Sequence, residues 1–270
     1  MKKLIVVIMA LFTILAGCSS NEPKKENAAE KNEQVQPIGI IGAMDSEVTT
    51  LKSKLDNEKI VKKAGLEFHQ GTLNGKEVVI VQSGIGKVNA ALCAQILVDD
   101  FNVSTLINSG VAGGLYKDLK VGDVVISNRA VEHDSDVTAF GHKKGYISGM
   151  HGDGEPTYFE TDADLAKKTQ EVASEVLKEN KAYIGTIASG DIFVSDAALK
   201  TSLVEQFDAY AAEMEGAAIA HVAYLNKVPV TIIRSISDLA NGEADVTYEE
   251  FETKAAEKSA QIVMNLLKQL

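Results

Sequence analysis

The sequence predicts one α/β domain built on a mixed or mostly parallel β-sheet. From Ile38 onward, short apolar runs rich in Val and Ile alternate with segments that have the apolar spacing of helices. The apolar runs show little alternation between apolar and polar residues, which is typical of strands covered on both faces. No repeat with a period of about 20–50 residues is visible, so one continuous domain accounts for the pattern.

Six strands are predicted from the apolar runs. They are Ile38–Ile41, Lys76–Gln82, Thr105–Asn108, Asp123–Asn128, Ala182–Ala188 and Val230–Ile236. Helices are predicted between the strands, and in one of them Cys93 follows Ala90-Ala91-Leu92. Cys93 is therefore expected to be a small buried side chain rather than a nucleophile.

Three helices can be placed by the residues at which they begin. The first begins after a cap at Asp45 or Ser46, the second behind Thr161 or Asp162, and the last at the capping box Thr247-Tyr248-Glu249-Glu250. The residues on their buried faces are predicted to be Val48, Leu51 and Leu55 in the first, Leu165, Thr169, Val172 and Val176 in the second, and Phe251, Ala255, Ile262, Val263, Leu266 and Leu270 in the last.

Residues 1–17 have the pattern of a bacterial lipoprotein signal peptide. Two lysines precede an apolar run, Leu4–Leu15, which is too short to span a bilayer as a stable helix. The run ends in Leu15-Ala16-Gly17-Cys18, which resembles a lipobox. We therefore expect Cys18 to become a lipidated N-terminus that anchors the protein to the extracytoplasmic face of the cell membrane. The alternatives are an ordinary signal peptide with an incidental Cys, or a buried strand.

Residues 18–37 are predicted to be the lipidated Cys followed by a disordered tether. From Ser19 to Pro37 the chain is mostly Asn, Glu, Lys, Gln and Ser, and Val35 is its one sizeable apolar residue. Such a segment buries too little apolar surface to order itself. Residues 38–270 are left as the folded domain. If Cys18 is lipidated, Cys93 has no partner and no intramolecular disulfide is expected.

The net charge and the spacing of motifs argue against nucleic-acid binding, nucleotide-binding loops and a metal site. There are 38 Asp and Glu against 27 Lys and Arg, and the formal charge of −11 offers no footprint for a nucleic-acid backbone. Ser83-Gly84-Ile85-Gly86-Lys87 lacks the spacing of a P-loop, and no Gly-x-Gly-x-x-Gly follows the first strand. The five His residues have no paired ligand spacing on a helix. We therefore expect neither a metal nor a cofactor.

Segments rich in glycine or small residues follow five of the predicted strands. They are Gly42–Glu47, Ser83–Lys87, Ser109–Gly114, Ser189–Asp191 and Ser237-Asp238. Glycines let the backbone approach a ligand, and α/β sheets bind ligands at the carboxyl ends of their strands. The five segments together predict a ligand pocket.

Four acidic residues, Glu47, Glu213, Glu215 and Asp238, lie in or beside such segments or on the helices that follow. Carboxylates in a glycine-lined pocket can activate water, protonate a leaving group and bind sugar hydroxyls. Each of them alone could instead be an acid that the helix dipole favours in a first turn.

Several motifs together resemble the 5'-methylthioadenosine/S-adenosylhomocysteine nucleosidase family. They are Gly39–Glu47, Ser83–Val88, Asp134–Gly141, Glu213-Met214-Glu215 and Ser235–Asp238, in the same order as in that family. The resemblance covers residues 38–270 and implies a single-domain, three-layer α/β/α sandwich around a twisted mixed sheet, as in nucleoside phosphorylases. It also implies a homodimer, a nucleoside substrate and no cofactor.

The resemblance implies a role for each matching residue. Asp238 would be the general acid that protonates the purine N7, Glu47 would deprotonate the attacking water, and Glu215 would bind the ribose hydroxyls. The other residues implied for the site are Met44, Ile85, Val111, Phe193, Val194, Glu213, Met214, Arg234 and Tyr248, together with Phe140 and His142, which would close the 5'-pocket of the neighbouring subunit.

The expected reaction is hydrolysis of the N-glycosidic bond of 5'-methylthioadenosine and S-adenosylhomocysteine, with 5'-deoxyadenosine as a further candidate substrate. Acids in the first loop would repel phosphate, which favours a hydrolase over a nucleoside phosphorylase. A nucleoside-binding lipoprotein without activity is a third reading. Val111 stands where many family members have a Ser whose hydroxyl supports the catalytic aspartate, so its loss is expected to alter how Asp238 is held. His142 replaces an aromatic residue, which leaves the preferred 5'-substituent open.

Overall fold

The computed structural model of the chain describes residues 35–150 and 153–270. The predicted signal peptide, Cys18 and the tether as far as Gln34 lie outside these residues. Among the residues that are described, no helix is long and apolar enough to cross a membrane.

Ten strands and six α-helices make up the described chain. The strands are β1 (Ile38–Gly42), β2 (Asp56–Lys63), β3 (Leu66–Leu73), β4 (Lys76–Gln82), β5 (Thr105–Gly114), β6 (Val124–Glu132), β7 (Tyr158–Glu160), β8 (Ala182–Ser189), β9 (Ala209–Glu213) and β10 (Val230–Asp238). The helices are α1 (Asp45–Lys52), α2 (Lys87–Phe101), α3 (Ala163–Val176), α4 (Ala197–Phe207), α5 (Gly216–Asn226) and α6 (Ala244–Leu267).

The strands form one mixed sheet in the order β10-β6-β8-β9-β5-β1-β4-β3-β2, with β7 paired to β6. The first part of β5 runs parallel to both β1 and β10, and from Gly113 onward β5 pairs with β9. Because β10 also pairs with β6, the strands β5, β10, β6, β8 and β9 close into a ring. This sharing of partners explains why β5 is so long.

Helices cover both faces of the sheet, so the three-layer α/β/α arrangement is found. On one face α2 packs against α5, and on the other α6 packs against α1 and α3. Ile40 and Ile41 are neighbours in β1 but belong to opposite cores, because successive side chains of a strand point to opposite faces. Cys93 is buried in α2, and burial raises the pKa of its thiol to about 12, so the prediction of an inert packing residue is confirmed.

All six predicted strands are present, but five of them continue further than predicted. β5 extends through Ser109–Gly114, a segment that was expected to follow the strand, and β10 extends to Asp238. The predicted end of the strand at Asn108 was wrong because small residues also suit a strand that is closely packed on both sides. Gly113 pairs with Asp238 on one side and with Ala212 on the other.

Four strands were not predicted, namely β2, β3, β7 and β9. β2 is a polar, exposed edge strand without an apolar face, and β7 has only three residues. β9 is rich in alanine, which has low strand propensity. These strands form through pairing with their neighbours rather than through a local apolar pattern.

Two of the three predicted helix starts need correction or refinement. α6 begins at Ala244, and Thr247 is not its cap, because its hydroxyl donates to the backbone oxygen of Glu243 inside the helix. α1 begins at Asp45 with Met44 as its N-cap, so the predicted cap at Asp45 or Ser46 was wrong, and it ends at Lys52, so Leu55 does not belong to its buried face. Leu270 lies beyond α6 and is partly exposed. The cap of α3 is confirmed, since the carboxylate of Asp162 accepts from a backbone N–H of the first turn.

Candidate active site

The carboxyl ends of the central strands surround a cavity of about 360 Å³. Four of the five predicted small-residue segments contribute to its wall, and the remaining segment, Ser189–Asp191, leads directly into wall residues. The predicted site residues that line the cavity are Met44, Glu47, Ile85, Val111, Phe193, Val194, Glu213, Met214, Glu215, Asp238 and Tyr248. The fold therefore collects residues from distant parts of the sequence at one place.

Glu47 lies in the first turn of α1, and its carboxylate is buried at the cavity wall. Oε2 accepts from the backbone N–H groups of Ala43 at 2.6 Å and Met44 at 3.1 Å. Oε1 accepts from the backbone N–H of Val111 at 3.0 Å. Burial raises the pKa of Glu47, although Arg234 and these hydrogen bonds oppose the rise. The carboxylate is thus fixed in orientation, and its affinity for a proton is increased.

Arg234 of β10 is completely buried behind the cavity, where it binds Glu213. Its Nη2 atom donates to Oδ1 of Asn108 at 2.6 Å and to Oε2 of Glu213. The same Glu213 oxygen accepts from the backbone N–H groups of Glu215 at 3.1 Å and Gly216 at 2.7 Å. Glu213 therefore connects the start of α5 to the buried guanidinium group.

Glu215 stands where β9 passes into α5. Its Oε1 atom accepts from the backbone N–H of Gly86 at 2.9 Å, and its Oε2 atom lies 3.6 Å from Nη2 of Arg234. Burial and the nearby charge of Glu213 raise the pKa of Glu215 to about 7. Near neutral pH this side chain therefore exists in both its charged and its neutral form.

Three carboxyl groups share one guanidinium group in this part of the site. Burial alone would lower the pKa of Arg234, but Glu213, Glu215 and Glu47 raise it, so the guanidinium stays charged. The guanidinium group is the one positive charge shared by these three acids, and Asp238 adds a fourth acid to the same cavity. The cavity consequently favours positive charge in a bound molecule and disfavours anions.

Asp238 ends β10 on another side of the cavity and is almost inaccessible to solvent. Its Oδ1 atom accepts from the backbone N–H of Ala240 at 2.8 Å, and its Oδ2 atom accepts from the hydroxyl of Ser237 at 3.0 Å. Burial raises the pKa of Asp238, while these two hydrogen bonds and the charge of Lys200 counteract part of the rise. The group is thereby suited to carry a proton.

Apolar and aromatic side chains complete the cavity. The rings of Phe193 and Tyr248 approach edge to face, with centroids 5.7 Å apart. The hydroxyl of Tyr248 donates to the sulfur of Met44 at 3.1 Å, which fixes α6 against the loop after β1. A flat aromatic molecule can therefore be held between these rings and the aliphatic side chains of the cavity.

Known proteins are similar to this chain in sequence and in fold. A family model described as the phosphorylase superfamily matches residues 37–268. The 5'-methylthioadenosine/S-adenosylhomocysteine nucleosidase of Staphylococcus haemolyticus is 45% identical over 234 residues, which are 86% of this chain and 100% of that protein. The chain belongs to the 5'-methylthioadenosine/S-adenosylhomocysteine nucleosidase family. The family prediction is confirmed, and with it the enzyme class, an N-glycosyl hydrolase.

Solved structures of this nucleosidase family have the same fold. The Neisseria meningitidis nucleosidase in complex with methylthio-immucillin-A is 37% identical, with a TM-score of 0.81 over 87% of this chain and 100% of that one. The futalosine hydrolase of Helicobacter pylori is 38% identical, with a TM-score of 0.81 over 87% of this chain and 99% of that one. The predicted nucleoside phosphorylase-like fold is confirmed.

Three predicted site residues of this family member do not line the cavity. Arg234 lies behind the wall and acts on it through Glu213. Phe140 is 81% exposed, and His142 stacks on Tyr146 with ring centroids 4.3 Å apart. The assignment of Phe140 and His142 to the pocket of a neighbouring subunit stays a prediction.

Sequence reasoning missed several residues that shape the nucleosidase site. Ser237 supports Asp238, Asn108 binds Arg234, and the hydroxyl of Ser189 donates to Glu213. Ser237 and Ser189 lie in the small-residue segments, which was the available signal, whereas nothing marks Asn108 except its place at the end of the predicted strand Thr105–Asn108. The further wall residues are Ala43, Ala112, Gly113, Ile192 and Ala212.

The replacement of Ser by Val at position 111 leaves Asp238 supported. The side chain of Val111 lies at the cavity wall, and its backbone N–H holds Glu47. Asp238 instead takes its hydroxyl partner from Ser237.

Within the described residues, no group of three or more His, Cys, Asp or Glu side chains could hold a metal ion.

Proposed function

We propose that the chain hydrolyses the N-glycosidic bond of 5'-methylthioadenosine and S-adenosylhomocysteine, releasing adenine and the 5'-substituted ribose. One observation carries the proposal: a buried acid, Asp238, and a cluster of carboxylates around Arg234 line the same cavity. Membership of the nucleosidase family supports the choice of substrates.

Asp238 is the group that activates the leaving base. Adenine departs poorly as an anion, and protonation at N7 lets it depart as a neutral molecule. Burial raises the pKa of Asp238, so the carboxyl group can hold the required proton. The backbone N–H of Ala240 occupies Oδ1, and Oδ2 bonds the Ser237 hydroxyl, so both oxygens are fixed for the transfer.

Glu47 is the group that activates water. Each of its oxygens accepts backbone N–H groups, and each still has capacity to accept a hydrogen bond from water. The raised pKa makes Glu47 a stronger base than an exposed carboxylate once it is ionised. Water held there would attack the ribosyl carbon as the base leaves from the opposite face.

The carboxylate cluster stabilises charge that exists only in the transition state. Departure of adenine leaves positive charge on the ribose, and Glu47 and Glu215, which are both buried, oppose it with negative charge. The same charges disfavour phosphate as a nucleophile. This favours hydrolysis over phosphorolysis, and the presence of both an acid and a base argues against a protein that only binds nucleosides.

We also propose that the enzyme is a homodimer in which Phe140 and His142 reach the neighbouring subunit's 5'-pocket. Phe140 is strongly exposed, and so are the apolar side chains of Ile85 at the cavity wall and Val88 and Leu92 on α2. Burial of such side chains against a second copy would remove apolar surface from water. The preferred 5'-substituent would then depend on both subunits.

The place of action proposed for the enzyme is the extracytoplasmic face of the cell membrane. The support is the sequence of residues 1–18, with its basic start, apolar run and lipobox. An exported nucleosidase would recover adenine or 5'-substituted ribose from nucleosides outside the cytoplasm.

Product analysis tests the proposal. The protein without residues 1–17 is incubated with 5'-methylthioadenosine, S-adenosylhomocysteine, 5'-deoxyadenosine, adenosine, inosine and futalosine, with and without phosphate. We expect adenine and free 5'-substituted ribose, at rates that phosphate does not change. A sugar 1-phosphate formed only with phosphate would instead identify a phosphorylase, and binding without turnover would identify a binding protein.

A further inference from the structure

Lys200 occupies an unusual position in α4, directly behind the cavity wall. It lies in the first turn of the helix, where the helix dipole disfavours a cation. The turn follows the wall residues Ile192–Val194 by a few positions. A partly buried ammonium group at such a place needs compensating partners.

The partners of Lys200 are two backbone oxygens beside Asp238. The Nζ atom donates to the oxygen of Gly114 at 2.9 Å and to the oxygen of Leu239 at 2.6 Å. Gly114 is the last residue of β5, and the residue before it pairs with Asp238. Lys200 therefore joins the ends of β5 and β10 at the position of the acid.

The second of these bonds reaches Asp238 through a single peptide group. The oxygen of Leu239 and the nitrogen of Ala240 belong to the same peptide unit, and that N–H donates to Oδ1 of Asp238 at 2.8 Å. A cation on the oxygen polarises the conjugated amide and makes its N–H a stronger donor. Two hydrogen bonds in series thus connect the ammonium group to the carboxyl group.

We propose that Lys200 is a positioning residue for Asp238, acting through the Leu239–Ala240 peptide. It fixes the direction of the N–H group that holds Oδ1, and it strengthens the bond to the ionised carboxylate. The inference rests on the proposed role of Asp238 as general acid, and it adds α4 to the elements that control that acid.

Other titratable groups around the acid come from three elements. Tyr248 approaches from α6, Glu47 lies on α1, and Glu215 lies at the start of α5. Burial raises the pKa of Tyr248 to about 12, so it stays neutral over the working range. Among the described residues, Lys200 is the cation whose charge lowers the pKa of Asp238. Burial lowers the pKa of Lys200, and the charge of Asp238 partly offsets that lowering.

The test is the pH profile of kcat/KM for Lys200→Met with 5'-methylthioadenosine. The alkaline limb reports loss of the proton from the general acid of the free enzyme. Without the ammonium group the carboxylate is less stabilised, so the pKa of Asp238 rises and the limb moves to higher pH by roughly 0.5–1 unit. We expect kcat to fall roughly tenfold as the acid becomes less well positioned, with KM within about twofold of the wild-type value.

Three further variants make the result specific. Lys200→Arg keeps the charge and the donors and should restore both the limb and most of kcat. Lys200→Gln keeps a donor without the charge, and it should show the same shift even if Lys200→Met is too unstable to assay. Lys258→Met is the matched control, because Lys258 is also a partly buried lysine that donates to a backbone oxygen, that of Gly122. It should lower the melting temperature without moving the limb.

The outcomes separate this inference from the proposed function. A limb that does not move in either neutral variant would overturn the role of Lys200, and so would an equal movement in Lys258→Met. If Asp238→Asn itself released adenine at the wild-type rate, the proposed role of Asp238 as general acid would fail first. An inactive Asp238→Asn combined with an unmoved limb would remove the inference about Lys200 alone.

Discussion

The side chains of Glu47 and Arg234 both lie close to the backbone of Gly110, in the space that a side chain at this position would occupy. A Cβ atom at Gly110 would overlap Nη1 of Arg234 and Oε1 of Glu47. Both groups are buried, so neither can move into solvent. The glycine in the middle of β5 is therefore required by the close approach of the base to the guanidinium group.

Gly110→Ala is expected to displace the carboxylate of Glu47 and to lower kcat/KM by roughly 100-fold or more. Overpacking should also reduce the free energy of unfolding by roughly 1–3 kcal/mol. Steady-state kinetics and thermal unfolding measure the two effects. Gly242→Ala is the control, since a Cβ atom there meets nothing within 4 Å. Full activity in Gly110→Ala would show that the approach of Glu47 to Arg234 is not needed.

Glu215→Gln is expected to lower the activity and, at high pH, to raise the free energy of unfolding. The pKa of Glu215 is raised to about 7, so the folded protein holds a proton that the unfolded chain releases near pH 4.5, and stability falls as pH rises between these values. The neutral amide escapes this loss, so the variant should be more stable than wild type at pH 8 by roughly 1–3 kcal/mol. The difference should vanish toward pH 4.5, while catalysis stays impaired.

Melting temperatures of wild type and Glu215→Gln between pH 4.5 and 8 provide the measurement. A variant that is less stable than wild type at pH 8 would mean that the ion pair with Arg234 outweighs the burial of the carboxylate. The wild-type preference for Glu at this position would then be structural rather than functional.

Phe140→Ala is expected to weaken binding of 5'-substituted nucleosides in a homodimer. Truncation of a Phe buried against substrate typically removes about 1.5–3 kcal/mol, so KM for 5'-methylthioadenosine should rise roughly 10- to 100-fold. Kinetics and sedimentation are measured together, and Ile60→Ala on the exposed edge strand β2 serves as control. A fully active monomer at assay concentration would exclude a pocket shared between subunits.

Cys18→Ala is expected to release the protein from membranes without changing its turnover. The polar segment after Cys18 separates the anchor from the domain, so loss of the lipid should leave the site untouched. Fractionation of cells and assay of the soluble variant measure the two properties. Membrane retention of Cys18→Ala would point to an uncleaved signal segment instead.

Much of the site could be predicted from sequence because its residues lie in short motifs at strand ends. Glu47 and Asp238 follow β1 and end β10, and the parallel pairing of β1 and β10 with β5 brings those ends together. The positions of such residues depend on strand order, which the family resemblance supplies and a local pattern does not. The sequence therefore predicts which acidic residues belong to the site, and the order of the strands brings them together.

The remaining features depend on contacts that no local pattern contains. Ser109–Gly114 was interpreted as a segment that follows a strand, because its residues are small and rich in glycine, yet it is the second half of β5 and contributes to the cavity wall. The polar strand β2 forms only because β3 is beside it. Lys200 is an ordinary helix residue in the sequence, and only the structure shows that it binds the backbone oxygens of Gly114 and Leu239, close to Asp238.

The central claim is that Asp238 protonates the leaving base and Glu47 activates water, and one comparison of two variants tests it. Asp238→Asn keeps the shape of the side chain but removes the transferable proton, so adenine release should fall by about 10²–10⁴-fold or more. Glu47→Gln should be similarly inactive because water is no longer deprotonated. A nitrophenyl riboside, whose leaving group departs without N7 protonation, should partly rescue Asp238→Asn and leave Glu47→Gln inactive. Equal rescue of both variants, or release of adenine by Asp238→Asn at the wild-type rate, would contradict the assignment.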